Sequence, residues 1–292
     1  MPRSRHVAVS RRDALRGIGA AAVGALTGLT AHGFLYERHH LLVTREDLAV
    51  AGWPETLNGL RVGFISDLHR SGTVSHETIA HAVGALMREA PELIVLGGDY
   101  VTNRDRRFVG AAAEALAAAS APGGVYAVLG NHDDERDITG ALGARGITVL
   151  RDARTQVTVR GERLDLAGLR YWTYRMDDIA RVIRGASPNL ILAAHTPKRL
   201  LEAAALSVPL MLSGHTHGGQ IVLPGLGAIA AREFPVVRGS ARRDNTTVFV
   251  TRGVGTVYVP VRVNCPPEVA ILTLRPTVRI EARSAWSRAP LG

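Results

Sequence analysis

Side chains suited to metal chemistry fall in five short polar motifs: Asp67-Leu68-His69, Gly98-Asp99, Gly130-Asn131-His132-Asp133, His195 and Gly214-His215-Thr216-His217. They offer carboxylate, amide oxygen and imidazole but no thiolate, a set that suits hard or borderline divalent cations. Each motif closes an apolar run. A hydrolase that works through two metal ions is the chemistry such an inventory would serve.

The elements that must position these residues follow from the runs before them. Leu60 to Ser66 is a short β-prone run ending at Asp67, Glu92 to Leu96 is unbroken apolar strand ending near Asp99, and Val125 to Leu129 leads to Asn131. Helices are expected over Glu77 to Ala90, capped by Ser75 with Ala80, Val83, Leu86 and Met87 as its apolar face, and from about Arg107 to Ala119. Asp67 to Asp99 and Asp99 to Asn131 are each 32 residues. That is about one strand plus one crossover helix, so the three motifs land at the same end of a parallel or mixed sheet.

The second half has more antiparallel character. Strands are expected over Ile147 to Val159 and Leu164 to Leu169, and helices over Asp177 to Ile183 and Pro197 to Ala205. Apolar runs ending at Ala194 and Ser213 present His195 and the Gly214 to Gln220 loop, and strands at Val248 to Thr251, Thr256 to Val261 and Val269 to Leu274 complete a second sheet. The resulting division is a front segment 1–36, a lead-in strand and turn 37–59, a catalytic domain 60–275 and a surface tail 276–292.

In this order the five motifs resemble those of the calcineurin-like metallophosphoesterase superfamily, over about Leu60 to Leu274. The Gly214 to Gln220 string, Arg252-Gly253-Val254-Gly255-Thr256 and Cys265-Pro266-Pro267-Glu268 look like its branch of exported bacterial, YaeI-like phosphodiesterases. The resemblance implies an α/β fold, a four-layer αββα sandwich of two mixed sheets flanked by helices. It implies two divalent ions (Mn, Fe, Zn, Co or Mg), one held by Asp67, His69 and His217, the second by Asn131, His195 and His215, with Asp99 bridging both. A metal-bridging hydroxide would attack phosphorus, with His132 as general acid and Asp133 orienting its imidazole.

Formal net charge is +9, yet only Lys198 among 35 basic residues is lysine, and five arginines crowd into the first 16 positions. The remaining basic groups carry no interleaved aromatic residues, which argues against nucleic acid as the main partner. Ser10-Arg11-Arg12-Asp13-Ala14-Leu15-Arg16 followed by a charge-free stretch from Gly17 to Tyr36 resembles a twin-arginine export signal. The alternative is an uncleaved membrane anchor. Either way the catalytic part is expected in the periplasm or on the outer face of the cytoplasmic membrane, with the twin-arginine machinery as a partner. The single Cys265 excludes an internal disulfide.

The substrate expected is a phosphodiester, lipid or cell-envelope derived in one variant. A lipid-linked pyrophosphate is an alternative, with Tyr171-Trp172-Thr173-Tyr174 and Leu223-Pro224-Gly225-Leu226 forming an apolar lip. The rival from another class is a non-catalytic metal scaffold that binds anionic lipid or cell-wall polymer.

Overall fold

The computed structural model describes residues 10–277 and 286–288. In chain order it holds α1 (Arg11–Leu35), β1 (Leu42–Ala51), β2 (Leu60–Ile65), α2 (His76–Arg88), β3 (Leu93–Leu96), α3 (Val109–Ala115) and β4 (Val125–Ala127). Then come α4 (Glu135–Gly143), β5 (Thr148–Val149), β6 (Ala153–Val159), β7 (Glu162–Gly168), α5 (Met176–Ile183) and β8 (Leu190–Ala193). The chain continues with α6 (Leu200–Ala205), β9 (Leu210–Ser213), β10 (Gly239–Arg243), β11 (Thr246–Val250), β12 (Glu268–Thr277) and β13 (Trp286–Arg288).

The strands form two mixed sheets, ordered β1-β12-β2-β3-β4-β5 and β13-β10-β11-β9-β8-β7-β6. Strands β2, β3, β4 and β5 run parallel to one another, as do β7, β8, β9 and β11. Three apolar clusters define the layers. Ile79, Val83 and Leu86 of α2 pack on Ile94 and Leu96 of β3. Phe64, Leu93 and Val95 of the first sheet meet Leu166, Ile191, Leu212 and Phe249 of the second, and Ile179 of α5 and Leu200 of α6 cover the outer face with Leu192 and Val250. The architecture is α/β, with helices outside and two sheets face to face.

Several expectations need correction. Strand β12 lies in the first sheet, between β1 and antiparallel β2. Its two faces explain this: Val269 and Ile271 enter the helix-side core while Ala270, Leu272 and Leu274 enter the inter-sheet core, so only an interior position buries both. Thr256 to Val261 is a loop, because the Gln220 amide occupies its backbone, accepting from Val257 N and donating to the carbonyls of Val257 and Val259. The buried face of α2 is Ile79, Ala82, Val83, Ala85 and Leu86, with Ala80 and Met87 at its margins. Ser75 does cap it, accepting from Thr78 N at 3.2 Å.

The lead-in is part of the body, since β1 pairs with β12 along its whole length. Helix α4 and strand β10 were not anticipated. Of the tail, Pro276 and Thr277 extend β12 and Trp286–Arg288 pairs with β10. The rest of 276–292 lies outside the described residues.

Candidate active site

The first expected ligand of every motif lies two to four residues past the carboxyl end of a strand: Asp67 after β2, Asp99 after β3, Asn131 after β4, His195 after β8 and His215 after β9. The strand-end loops are tied together by their own backbones. Asp67 N donates to Gly98 O and His69 N to Asp99 O, each at 2.9 Å, and Gly214 N donates to His195 O at 2.9 Å. Among the seven expected ligands, Asp67, His69, Asp99, His215 and His217 take left-handed backbone with φ between 47° and 71°. Such conformations cost energy in residues with a Cβ and persist only where the surroundings enforce them.

Two glycines are needed for a different reason. A Cβ at Gly130 would strike Asp99 Oδ1, and one at Gly214 would strike Asp67 Oδ2.

Potential ligand atoms of Asp67, His69 and His217 lie within 4.8 Å of one another, and so do those of Asp99, His195 and His215. Asp99 touches both groups: its Oδ2 is 3.1 Å from His195 Nε2 and 3.5 Å from His69 Nε2. His69 Nε2 and His217 Nε2 face each other at 3.0 Å, and Asp67 Oδ1 lies 3.6 Å from the latter. The outward nitrogens of two rings are held: His195 Nδ1 meets Gly97 O at 2.7 Å and His69 Nδ1 meets Thr102 Oγ1 at 3.2 Å. With one ring nitrogen fixed, the other is aimed inward.

The electrostatics fit a cation site. Burial pushes the Asp67 carboxyl up to about 6, with Asp99 adding to it. Burial opposes charge on His195 and Asp99 too, but their mutual attraction wins, raising His195 to about 10 and holding Asp99 far below the usual carboxylate range. Burial lowers His69 to about 4 and His215 to about 3, and depresses His217 well below the ordinary imidazole value. These rings are therefore neutral and able to ligate near pH 7. Asn131 Oδ1 is buried without a hydrogen-bond partner, an acceptor whose desolvation a cation would offset. The donor set and this orphaned oxygen fit a divalent metal pair.

His132 is buried beside the cluster, its ring 4.9 Å from that of His69. The residue expected to orient it does not. Asp133 Oδ2 accepts from Asp99 N at 2.8 Å and Gly130 N at 2.9 Å, and its Oδ1 from Tyr100 N at 2.8 Å. A carboxylate short of donors turns to the backbone amides left unpaired where β3 and β4 end. His132 Nδ1 instead accepts from the backbone N–H of Asn103 at 3.0 Å, so the neutral ring carries its proton on Nε2. Burial also lowers this imidazole's pKa.

Arg262 was missed. It is fully buried, and its guanidinium donates to the carbonyls of Arg252, Gly253, Gly255 and Cys265 at 2.5–3.1 Å. That clamps the loop whose Gly255 N donates to Asp67 O at 2.7 Å. Its one signal in sequence is a lone arginine in the apolar stretch Val261 to Val263. Arg70 bonds the Ser71 and Val74 carbonyls and lies over the Phe108 ring. The buried Tyr100 hydroxyl donates to Val128 O at 2.9 Å.

Residues 60–219 match the calcineurin-like phosphoesterase family. The chain belongs to that family. It is 32% identical over 282 residues to the uncharacterized metallophosphoesterase YkuE of Bacillus subtilis (strain 168), covering 92% of this chain and 99% of that one. It is 31% identical over 222 residues to phosphodiesterase YaeI of Escherichia coli (strain K12), covering 73% of this chain and 82% of the other. Among solved structures, Haemophilus influenzae NAD nucleotidase aligns with a TM-score of 0.48 at 17% identity, covering 66% of this chain and 50% of its own. The chain thus spans about half the length of that structure. As a member of this family it is a metal-dependent phosphoric ester hydrolase.

Proposed function

We propose that the chain is a dinuclear phosphodiesterase acting on the outer face of the cytoplasmic membrane. The observation that carries the dinuclear reading is Asp99, whose single Oδ2 lies within 3.5 Å of imidazoles from both ligand groups. Asp67, His69 and His217 would hold one ion, Asn131, His195 and His215 the other, and Asp99 both. When bound, the ions supply Lewis acidity toward water and the phosphoryl oxygens.

The chain's own residues do the rest. Gly97 O and Thr102 Oγ1 hold the rings of His195 and His69 in place, and Asn131 contributes a neutral oxygen that leaves positive charge for the phosphate. His132 presents its Nε2–H to the leaving oxygen as a hydrogen-bond donor, because the Asn103 N–H holds Nδ1 as an acceptor and keeps the ring neutral. The hydrogen bond it donates strengthens as negative charge develops on that oxygen. A diester rather than a monoester is favoured by the likeness to YaeI, a named phosphodiesterase.

Export rests on the arginine pair at Arg11-Arg12 and on α1, which is long and apolar enough to cross a membrane. Arginines at its amino end favour an orientation with that end inside.

The test is turnover of an activated aryl phosphodiester by the full chain in detergent, loaded with Mn²⁺. Metal-dependent hydrolysis that Asp99→Ala abolishes is the expected result; full turnover by that variant would refute the reading.

A further inference from the structure

Helix α1 is not a detachable leader in its packing. Its amino-terminal three-quarters is exposed, but at Gly33 it meets the body so closely that any Cβ would strike the Arg262 carbonyl and the Val261 side chain. Arg262 N donates to Gly33 O at 3.3 Å. Two residues past the helix, the buried Glu37 accepts from Cys265 N at 2.5 Å. Cys265 in turn donates through Sγ to His217 O at 3.2 Å. One residue therefore separates the base of α1 from an expected metal ligand. A segment meant to be cut away has no need of such complementarity.

The loop that receives α1 continues into an exposed apolar edge. Just before Val261 come Tyr258, 81% exposed, and Val259, about half exposed. They border a cleft of about 350 Å³ that also includes Thr102 and Asn103, the residue whose amide faces His132. On another side, Tyr171 lies 5.3 Å from the His215 ring and carries the 64% exposed Trp172 against it at 4.6 Å. Trp172 borders a second cleft, of about 230 Å³, with Gly130 and Asp133. A third loop, following directly from the His217 turn, exposes Leu226 and Ile229.

Isolated exposed apolar residues are ordinary, but three loops around one catalytic mouth, each with its own, are not. At 1.5 Å per residue the 25 residues of α1 extend about 37 Å, against about 30 Å of bilayer hydrocarbon. A helix inserted at that length leaves its base, and the loop seated on it, at the headgroup level, where tryptophan and tyrosine side chains are favoured.

We infer that α1 is a retained anchor and that the catalytic mouth is seated on a phospholipid bilayer by the exposed side chains of Trp172, Leu226, Tyr258 and Val259. The substrate is then a phosphoester presented at the headgroup level of that membrane. This substrate class rests on the phosphoesterase reading above; the docking does not.

The test reconstitutes the full chain, in a Trp53→Phe, Trp286→Phe background, into vesicles of phosphatidylcholine and phosphatidylglycerol. Emission of Trp172 is expected to fall about twofold when the lipids carry a spin label near the headgroup, with little quenching by aqueous iodide. Turnover is compared between a diacylglycerol aryl phosphodiester within the vesicles and a soluble aryl phosphodiester. Leu226→Ser with Val259→Ser is expected to reduce hydrolysis of the embedded substrate about tenfold and leave the soluble one unchanged. Quenching by iodide and not by lipid label, or equal loss on both substrates, overturns the inference. Lipid quenching without turnover of either substrate upholds the docking and overturns the phosphoesterase reading.

Discussion

The loops of the first sheet bring oxygen to the site, and those of the second bring only nitrogen. Strands β2, β3 and β4 present Asp67, Asp99 and Asn131 together with His69, whereas β8 and β9 present His195, His215 and His217. Both acidic residues among the expected ligands therefore sit on the first layer, and neither layer holds a complete set for either proposed ion. The two sheets are joined behind the site by apolar packing, with Phe64 of β2 edge-on to Phe249 of β11 at 6.3 Å. Metal binding and sheet-to-sheet packing should thus support one another.

The comparison is most severely broken at Asp99, a first-sheet carboxylate whose Oδ2 reaches imidazoles of both layers. Asp99→Ala should lower kcat/KM by about 10³-fold or more and reduce bound metal, measured by elemental analysis of the purified variant. His195→Ala, on the second sheet, should by contrast retain one ion per chain.

His132→Ala should cost about 10²–10³ in kcat for an alkyl leaving group and clearly less for a nitrophenyl one, since only the former develops enough negative charge to need the Nε2–H donor. Equal losses on both would show that His132 acts by other means. Behind the site, Phe249→Ala should reduce unfolding free energy by about 3–5 kcal/mol in urea and weaken metal affinity with it. A loss of stability without any loss of affinity would uncouple the two layers.

Chelation is expected to be milder. Removing metal present at about 100 times its Kd withdraws about 2.7 kcal/mol, visible as a Tm several degrees lower. Arg107→Ala, at an exposed pair with Asp105, should alter neither Tm nor turnover, and serves as the control.

The first layer was the more legible in sequence. Its unbroken apolar strands, the equal 32-residue intervals and the parallel β2-β3-β4 pairing are three expressions of one βαβ geometry. The second was harder, because which sheet takes an apolar strand depends on partners distant along the chain. Strand β12 was therefore assigned to the wrong sheet. The Thr256 to Val261 segment was misread because a side-chain amide, Gln220, satisfies its backbone, and no local periodicity reports that.

In the site, residue types and order identified the groups that come together, but not what holds them. Asp133 looked like a partner for His132 by adjacency, yet its carboxylate turned to four backbone amides. The group that meets His132 is a main-chain N–H, which residue type cannot reveal. Arg262 was hidden for a similar reason, since its oxygen partners are main-chain carbonyls.

The left-handed backbone of Asp67, His69, Asp99, His215 and His217 has a consequence for laboratory evolution. Each such position costs on the order of 1–3 kcal/mol that glycine would not incur. A selection for heat resistance alone, run in chelator, should therefore accumulate glycine or asparagine at these five places before it touches the cores. The proposed ligands would be the first residues discarded once hydrolysis is no longer demanded. The metal site is thus a standing expense that only catalysis justifies, and neutral drift would erode it from the backbone outward.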